Sequence, residues 1–137
     1  MMSMRQNQPA GHKAPKKDLE FEIRFFEGVI ARDPNYVEAL QVLGDAYTKT
    51  GQWEKGLHVD KRLAKLCPTS SLVFYNLACS YSLLSKVDEA FTALRKAVKL
   101  GYDDARWLTK DPDLANIRSD RRFQDIRAKL TGKHTGR

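Results

Sequence analysis

Residue types that could perform catalysis are few and scattered in this chain of 137 residues. His12 and His134 lie near the two ends, and His58 stands by itself in the middle. Asp60 follows His58 by two residues, and side chains two apart on a helix point to different faces, so Asp60 does not orient the imidazole. We therefore predict that His58 is a surface or packing residue and not a general base.

Two other sets of residues could hold a metal ion, and neither has the spacing of a metal site. Cys67 and Cys79 lack both a C-x-x-C spacing and a nearby histidine, which favours free thiols. The second set is four acids: Asp103, Asp104, Asp111 and Asp113. Pro112 lies among them, so turn and helix-cap roles explain these acids better than a divalent-cation site. Glycine-rich phosphate loops are also missing. We expect a protein that is not an enzyme and uses no cofactor or metal.

Composition and hydropathy are those of one ordinary globular domain. The apolar fraction is 42% and the charged fraction 30%, which argues against a wholly disordered chain. No apolar run is long enough to span a membrane. Residues 1–17 lack the apolar centre of a secretory signal. We expect a cytoplasmic protein with no membrane contact.

The net charge of +7 is concentrated at the two ends of the chain. Residues 1–17 carry +4 and residues 127–137 carry another +4, whereas residues 18–126 carry −1. Short basic segments of this kind are typical of solvated tails, so we predict disordered basic tails at 1–17 and 131–137. An alternative is a nucleic-acid-associated protein that uses these tails to contact phosphates, although nucleic acid is not the partner we expect.

An internal repeat organises the middle of the chain, with a period of about 34 residues that is typical of helical repeat arrays. Displacing the sequence by one period aligns similar side chains: Leu40 with Phe74, Leu43 with Leu77, Gly44 with Ala78, Tyr47 with Tyr81 and Pro34 with Pro68. Their three- and four-residue spacing places them on one face of a helix. The pattern predicts four helices: Val37–Thr50, Trp53–Cys67, Leu72–Leu84 and Val87–Leu100. Neither helix pair can bury its apolar face alone, so stacking is required.

These motifs carry a family resemblance. Leu40-x-x-Leu43-Gly44-x-x-Tyr47 and Phe74-x-x-Leu77-Ala78-x-x-Tyr81 resemble the tetratricopeptide repeat signature, and the segment with Asp111-Pro112-Asp113-Leu114 resembles the terminal segment of small bacterial members. The resemblance covers residues 18–130. It implies an all-α fold, an α-solenoid of antiparallel helix pairs wound as a right-handed superhelix. For function it implies protein binding only.

The predicted domain, 18–130, divides into four parts. An N-terminal helix spans 18–33, two repeats span 37–70 and 71–104, and a C-terminal helical segment spans 105–130. Ser119 is the expected N-cap of the last helix. Phe21 and Phe25 widen the apolar face of the first helix beyond the usual stripe, so a homo-oligomerising structural module that pairs through them, for example as a homodimer, is a further alternative.

The resemblance also implies a binding surface, because in this family the first helix of each pair lines a concave groove. In the first repeat the positions off the packing seam are Glu38, Gln41, Val42, Asp45, Thr48 and Lys49. In the second they are Leu72, Tyr75, Asn76, Cys79, Ser82 and Leu83. An alternative for Leu72, Tyr75 and Leu83 is that they pack on adjacent helices. Asn76, Arg106 and Lys110 match places of a carboxylate clamp that some members use, which implies an acidic ligand, whereas Asp45 would repel one. We expect an adaptor, scaffold or assembly factor that binds a peptide or helix of another protein.

Overall fold

The computed structural model describes the backbone of residues 16–134 and the side chains of residues 18–132. The described residues form seven α-helices and one 3-10 helix, with no β-strand among them, which confirms the predicted all-α fold. None of these helices is long and apolar enough to cross a membrane. Most of the two predicted basic tails, 1–15 and 135–137, falls outside the described residues. The chain divides into two compact units, up to Pro68 and from Thr69.

Unit 1 consists of three helices, α1 (Lys16–Arg32), α2 (Val37–Lys49) and α3 (Trp53–Leu66). The middle helix α2 packs against both α1 and α3. The larger buried apolar side chains are Leu19, Ile23, Leu40, Leu43, Tyr47, Leu57, Val59 and Leu63, of which Leu40, Leu43 and Tyr47 lie on the face that their spacing predicts. Helix α1 begins two residues earlier than predicted, so Lys16 and Lys17 belong to a helix and not to a tail.

Unit 2 is a helix pair followed by a less regular segment. The pair is α4 (Ser71–Leu83) and α5 (Val87–Lys99), and α6 (Ala105–Lys110), a 3-10 helix (Pro112–Ile117) and α7 (Arg121–His134) follow. The 3-10 helix packs on α4, and α7 contacts both α5 and α6. The most deeply buried apolar side chains of the unit are Phe91, Leu94, Leu108, Leu114, Ile117, Phe123 and Leu130. Helix α7 continues to His134, beyond the predicted end at 130.

Helices in the C-terminal segment begin at acidic residues, because a side-chain oxygen accepts a hydrogen bond from a backbone N–H that the helix leaves unpaired. Asp104 accepts from the N–H of Trp107 at 3.0 Å. Asp111 accepts from the N–H of Asp113 at 2.9 Å. At the start of α7 the prediction was wrong by one residue: Asp120, not Ser119, accepts from the N–H of Arg122, at 2.8 Å.

The same turn closes the first helix of each pair. The N–H of Gln52 donates to the carbonyl of Tyr47 at 2.8 Å, and the N–H of Lys86, one repeat later, donates to the carbonyl of Tyr81 at 2.9 Å. Such a bond requires a left-handed residue just after the helix. Gly51 supplies it in unit 1 with φ of 76°, whereas Ser85 supplies it in unit 2 with φ of 57°. A side chain in this conformation costs about 1–2 kcal/mol.

Exchanging the two turn residues should therefore shift stability in opposite directions. Ser85→Gly should raise the free energy of unfolding by about 1 kcal/mol, because glycine adopts the left-handed conformation without the steric cost. The greater conformational freedom of glycine in the unfolded chain reduces this gain. Gly51→Ser should lower it by a similar amount, because no heavy atom lies within 4 Å of a Cβ there and only the backbone conformation opposes the substitution. Urea denaturation of both variants measures this difference. Changes of the same sign would contradict the account of the turn.

Candidate protein-interaction faces

A buried polar network joins α4 to the segment that follows α6. The hydroxyl of Tyr75 donates to Asp111 Oδ2 at 2.6 Å. The thiol sulfur of Cys79 lies 3.6 Å from the same oxygen. One helical turn further on, Asn116 Nδ2 donates to the carbonyl of Ser82 at 2.9 Å. The face of α4 that carries residues 75, 79 and 82 is thus occupied by residues 111–116 of the same unit.

This arrangement corrects three of the predicted groove residues. Tyr75, Cys79 and Ser82 are 1%, 1% and 0% exposed, so their side chains are not offered to a ligand. The reason is that α4 contains no charged residue and would expose apolar surface on every side unless another segment covered it. The lack of charge was visible in the sequence and is the signal that could have identified this face as buried.

Burial also keeps Tyr75 in its donor form. Burial is the main cause that raises the pKa of Tyr75 far above its ordinary value, and the neighbouring Cys79 and Asp111 raise it further. The ring of Tyr102 stacks on that of Tyr75, with centroids 4.4 Å apart and planes inclined by 13°. Burial likewise raises the pKa of Tyr102. A protonated hydroxyl at position 75 is therefore available to Asp111 throughout the physiological pH range.

Three residues of the same network come closest to the arrangement of a metal site. Ligand atoms of Cys79, Asp111 and Asp113 all lie within 4.8 Å of one another. Both carboxylate oxygens of Asp111, however, already accept hydrogen bonds, one from Tyr75 and one from the N–H of Asp113. The predicted roles of turn and cap account for Asp111 without an ion. Cys79 is a buried free thiol and Cys67 a half-buried one.

Helix α2 of unit 1 carries the other predicted face. Glu38 and Lys49 are exposed, and Gln41, Val42 and Thr48 are half-buried. Asp45 is only 7% exposed, and its Oδ2 pairs with Lys49 Nζ at 2.9 Å. Two shielded acceptors on this helix, Gln41 Oε1 and Asp45 Oδ1, have no hydrogen-bond partner among the described residues. Because residues 41 and 45 are one turn apart, both acceptors lie on one stripe of the helix.

The remaining predicted residues are accessible to different degrees. Leu72, Asn76 and Leu83 of α4 are half-buried, whereas Arg106 and Lys110 of α6 are exposed. On α1, Phe21 and Phe25 are 63% and 56% exposed, and their rings stack with centroids 6.5 Å apart. Self-association through these two rings stays a prediction.

Each unit has a surface pocket, and the two pockets are lined by residues one repeat period apart. Unit 1 has a pocket of about 480 Å³ on the packing seam of α2 and α3, and unit 2 has a pocket of similar volume on α4 and α5. Each residue that lines the second pocket lies one period after a residue that lines the first. Examples are Leu40 and Phe74, Leu43 and Leu77, Tyr47 and Tyr81, Val59 and Ala93, and Arg62 and Lys96. In unit 1 Tyr47 also donates a hydrogen bond to Glu27 of α1.

Charged side chains at the start of α7 form the tightest ion cluster in the described part of unit 2. The guanidinium of Arg122 donates to Asp88 Oδ1 and to Asp120 Oδ2, both at 2.9 Å. Hydrogen bonds from the Arg122 side chain, and then from its backbone N–H, are the main causes that lower the pKa of Asp120 to about 2. The cluster ties the beginning of α5 to the beginning of α7.

Helix pairs that recur with one period, closed by the same turn, define a helical scaffold of the tetratricopeptide type. Comparison with known proteins supports this class. The crystal structure of MamA is 26% identical to the chain and superposes with a TM-score of 0.70, over 86% of this chain and 67% of that one. A MamA structure from Desulfovibrio magneticus RS-1, at 20% identity and a TM-score of 0.69, shares the fold over 85% of this chain and 64% of its own.

A chloroplastic protein of Arabidopsis thaliana is a curated relative, 33% identical over 98 residues. That match covers 69% of this chain but only 28% of the relative's length. No protein-family model matches the chain. The MamA structures share the helical repeat fold, which supports a protein-interaction scaffold. Cytoplasmic localisation and the lack of enzymatic activity stay predictions.

Removing the Tyr75 hydroxyl should destabilise unit 2. Tyr75→Phe keeps the ring stacked on Tyr102 but leaves the buried Asp111 Oδ2 with only the weak thiol donor of Cys79, which should cost about 1–3 kcal/mol of unfolding free energy. Tyr36→Phe is the matched control, because Tyr36 is exposed and its loss of a hydroxyl should cost less than about 0.5 kcal/mol. Equal denaturation midpoints for the two variants would show that the network does not support the fold.

The Asp120–Arg122 pair should produce a specific pH dependence. Because the pKa of Asp120 is lowered to about 2 in the folded chain, its stabilising contribution is present above the unfolded value of about 3.9 and is lost as the pH falls toward 2. Carboxyl NMR titration should place the midpoint of Asp120 near 2, and Arg122→Gln should raise it toward the unfolded value. Arg121→Gln removes the same charge at an exposed neighbouring position and should leave the midpoint unchanged. A normal midpoint in the wild type would contradict the pairing.

Proposed function

We propose that the chain is a member of the tetratricopeptide repeat family that acts as an adaptor or assembly factor by binding a peptide segment of another protein. The fold supports a scaffold, and the faces of α2 and α4 support peptide binding in each unit. The observation on which the proposal chiefly rests is the unpartnered acceptor Oε1 of Gln41, a half-buried residue of α2, whereas Asp45 is buried and is not counted as a ligand contact.

In unit 1 the Gln41 acceptor favours a ligand that brings hydrogen-bond donors. A shielded acceptor without a partner costs about 1–3 kcal/mol, and a bound N–H group that pairs with it offsets this cost. An extended peptide presents backbone N–H groups at regular spacing, one of which can pair with this acceptor. Gln41 is half-buried, so its amide can rotate toward a ligand. Exposed Glu38 and Lys49 flank this residue along the helix.

In unit 2 the accessible part of α4 favours apolar ligand side chains. Leu72 and Leu83 remain half-buried on a helix with no charge, at either end of the stripe that contains Asn76. Arg106 and Lys110, four residues apart, present two positive charges on α6. Their charge supports the preference for an acidic ligand that the resemblance implies. For a peptide ligand we expect a micromolar dissociation constant, which corresponds to a binding free energy of about −8 kcal/mol.

The proposal predicts selective effects of substitution on peptide binding. Short peptides selected from a random displayed library on the full chain should bind with micromolar affinity by isothermal titration calorimetry. Gln41→Leu should weaken binding while raising the unfolding free energy by about 1 kcal/mol, because it removes an unpaired acceptor. Arg106→Glu/Lys110→Glu should weaken binding of acidic peptides at least tenfold.

Lys61→Glu/Lys65→Glu is the matched control for the charge reversal. It changes the same charge at two exposed positions of the same spacing, on α3, and should leave affinity within about twofold. If no peptide is enriched, or if both double variants weaken binding equally, the proposed faces are wrong. Circular dichroism of each variant verifies that helicity is unchanged.

A further inference from the structure

A groove between α5 and α7 of unit 2 lies apart from every residue of the proposed peptide-binding faces. Its volume is about 1010 Å³. Its walls carry four basic side chains, Arg95 and Lys99 on α5 and Arg122 and Lys129 on α7, against a single acid, Asp125. The side chains that line the groove sum to +3, and +2 remains when Arg122, which Asp88 and Asp120 already pair, is left out, although residues 18–126 as a whole carry −1. An excess of this kind in one cleft attracts acidic groups and raises their local concentration.

Three of the four cations are available to a ligand. Arg122 is already engaged by Asp88 and Asp120. Arg95, Lys99 and Lys129 are exposed and form no ion pair with any residue that the structure describes. Lys99 lies four residues after Arg95 on α5, so the two share one side of that helix.

Phe91 holds two of the guanidinium groups in place. Its ring is fully buried, and Arg122 and Arg95 lie over it with distances of 4.5 Å and 5.9 Å to the centroid. Cation–π contact of this kind restricts the side chains before any ligand arrives. A ligand carboxylate on Arg95 therefore loses less free energy in ordering that side chain than it would with a freely moving arginine.

The floor of the groove is apolar and decides the class of ligand. Ile126 is buried and Val98 half-buried, and both line the groove between the basic walls. No aromatic ring of the described residues lines it, so it lacks the stacking surface that single-stranded nucleic acid uses. An apolar strip bordered by basic side chains of two helices matches an amphipathic helix laid into a groove.

We propose that the α5–α7 groove binds an amphipathic helix of a partner protein, with apolar residues at i, i+4 and i+7 on Val98 and Ile126 and with aspartates or glutamates on Arg95, Lys99 and Lys129. The occupant is not α1 of a second copy, because α1 carries four acids and four bases and has no net charge. The proposal shares no residue with the peptide-binding faces and does not depend on them.

Fluorescence anisotropy with the full chain tests the groove. The probe is a labelled helical peptide of four turns with leucines at i, i+4, i+7 and i+11 and glutamates flanking them. It should bind the wild type and lose at least tenfold in affinity between about 50 and 300 mM salt. Lys99→Glu/Lys129→Glu should weaken binding at least tenfold. The same double variant should instead bind a peptide that carries lysines in place of the glutamates. The wild type should not bind that lysine peptide.

Arg121→Glu/Arg127→Glu is the matched control, since it makes the same charge change at exposed positions of α7 outside the groove. It should retain the affinity of the wild type within about twofold. Equal binding by both double variants, or no charge-swap rescue, overturns the proposal. If the wild type binds an oligothymidine strand in place of the acidic peptide, and Lys99→Glu/Lys129→Glu loses that binding, the proposal is overturned in favour of nucleic acid. Binding of a peptide of residues 16–32 alone would identify a second copy as the occupant.

Discussion

The hydrogen bond from Tyr75 to Asp111 is the contact on which unit 2 depends. Helix α4 has no charged side chain, so it must be covered on more than the face that packs on α5. A purely apolar cover would leave the tyrosine hydroxyl without a partner. Asp111 accepts that hydroxyl and at the same time caps the 3-10 helix, so one carboxylate fixes both the position of the C-terminal segment and its local conformation. The segment that Asp111 attaches also buries its apolar side chains Leu114, Ile117, Phe123 and Leu130.

The regular part of the fold was predictable because its signal is local. Leu40, Leu43 and Tyr47 lie three and four residues apart, and their counterparts recur one period later, so helix type and position follow from the spacing alone. The predicted span Val37–Thr50 differs from the observed α2 by one residue. Ser119 and Asp120 are both good capping residues, and the sequence does not decide between neighbours of equal propensity.

The binding surface was less predictable because it depends on contacts between distant segments. Tyr75 and Asn76 are adjacent in the sequence and both were predicted to face the groove, yet only the first is fully covered, since residues 111–116 lie against its side of α4. That segment has no counterpart in the repeat, so the repeat period does not predict its position. The basic groove is similar: Arg95 and Lys99 look like ordinary surface positions on α5 until α7 brings Lys129 beside them.

The burial of Cys79 has a consequence for the motions of unit 2. Its sulfur lies against Asp111 under the C-terminal segment, so a thiol reagent can reach it only while that segment is away from α4. The labelling rate of Cys79 therefore reports how often this local opening occurs, and it does so well below the free energy of global unfolding. A Cys67→Ser variant leaves Cys79 as the one cysteine of the sequence, so the labelling that remains times the release of this segment.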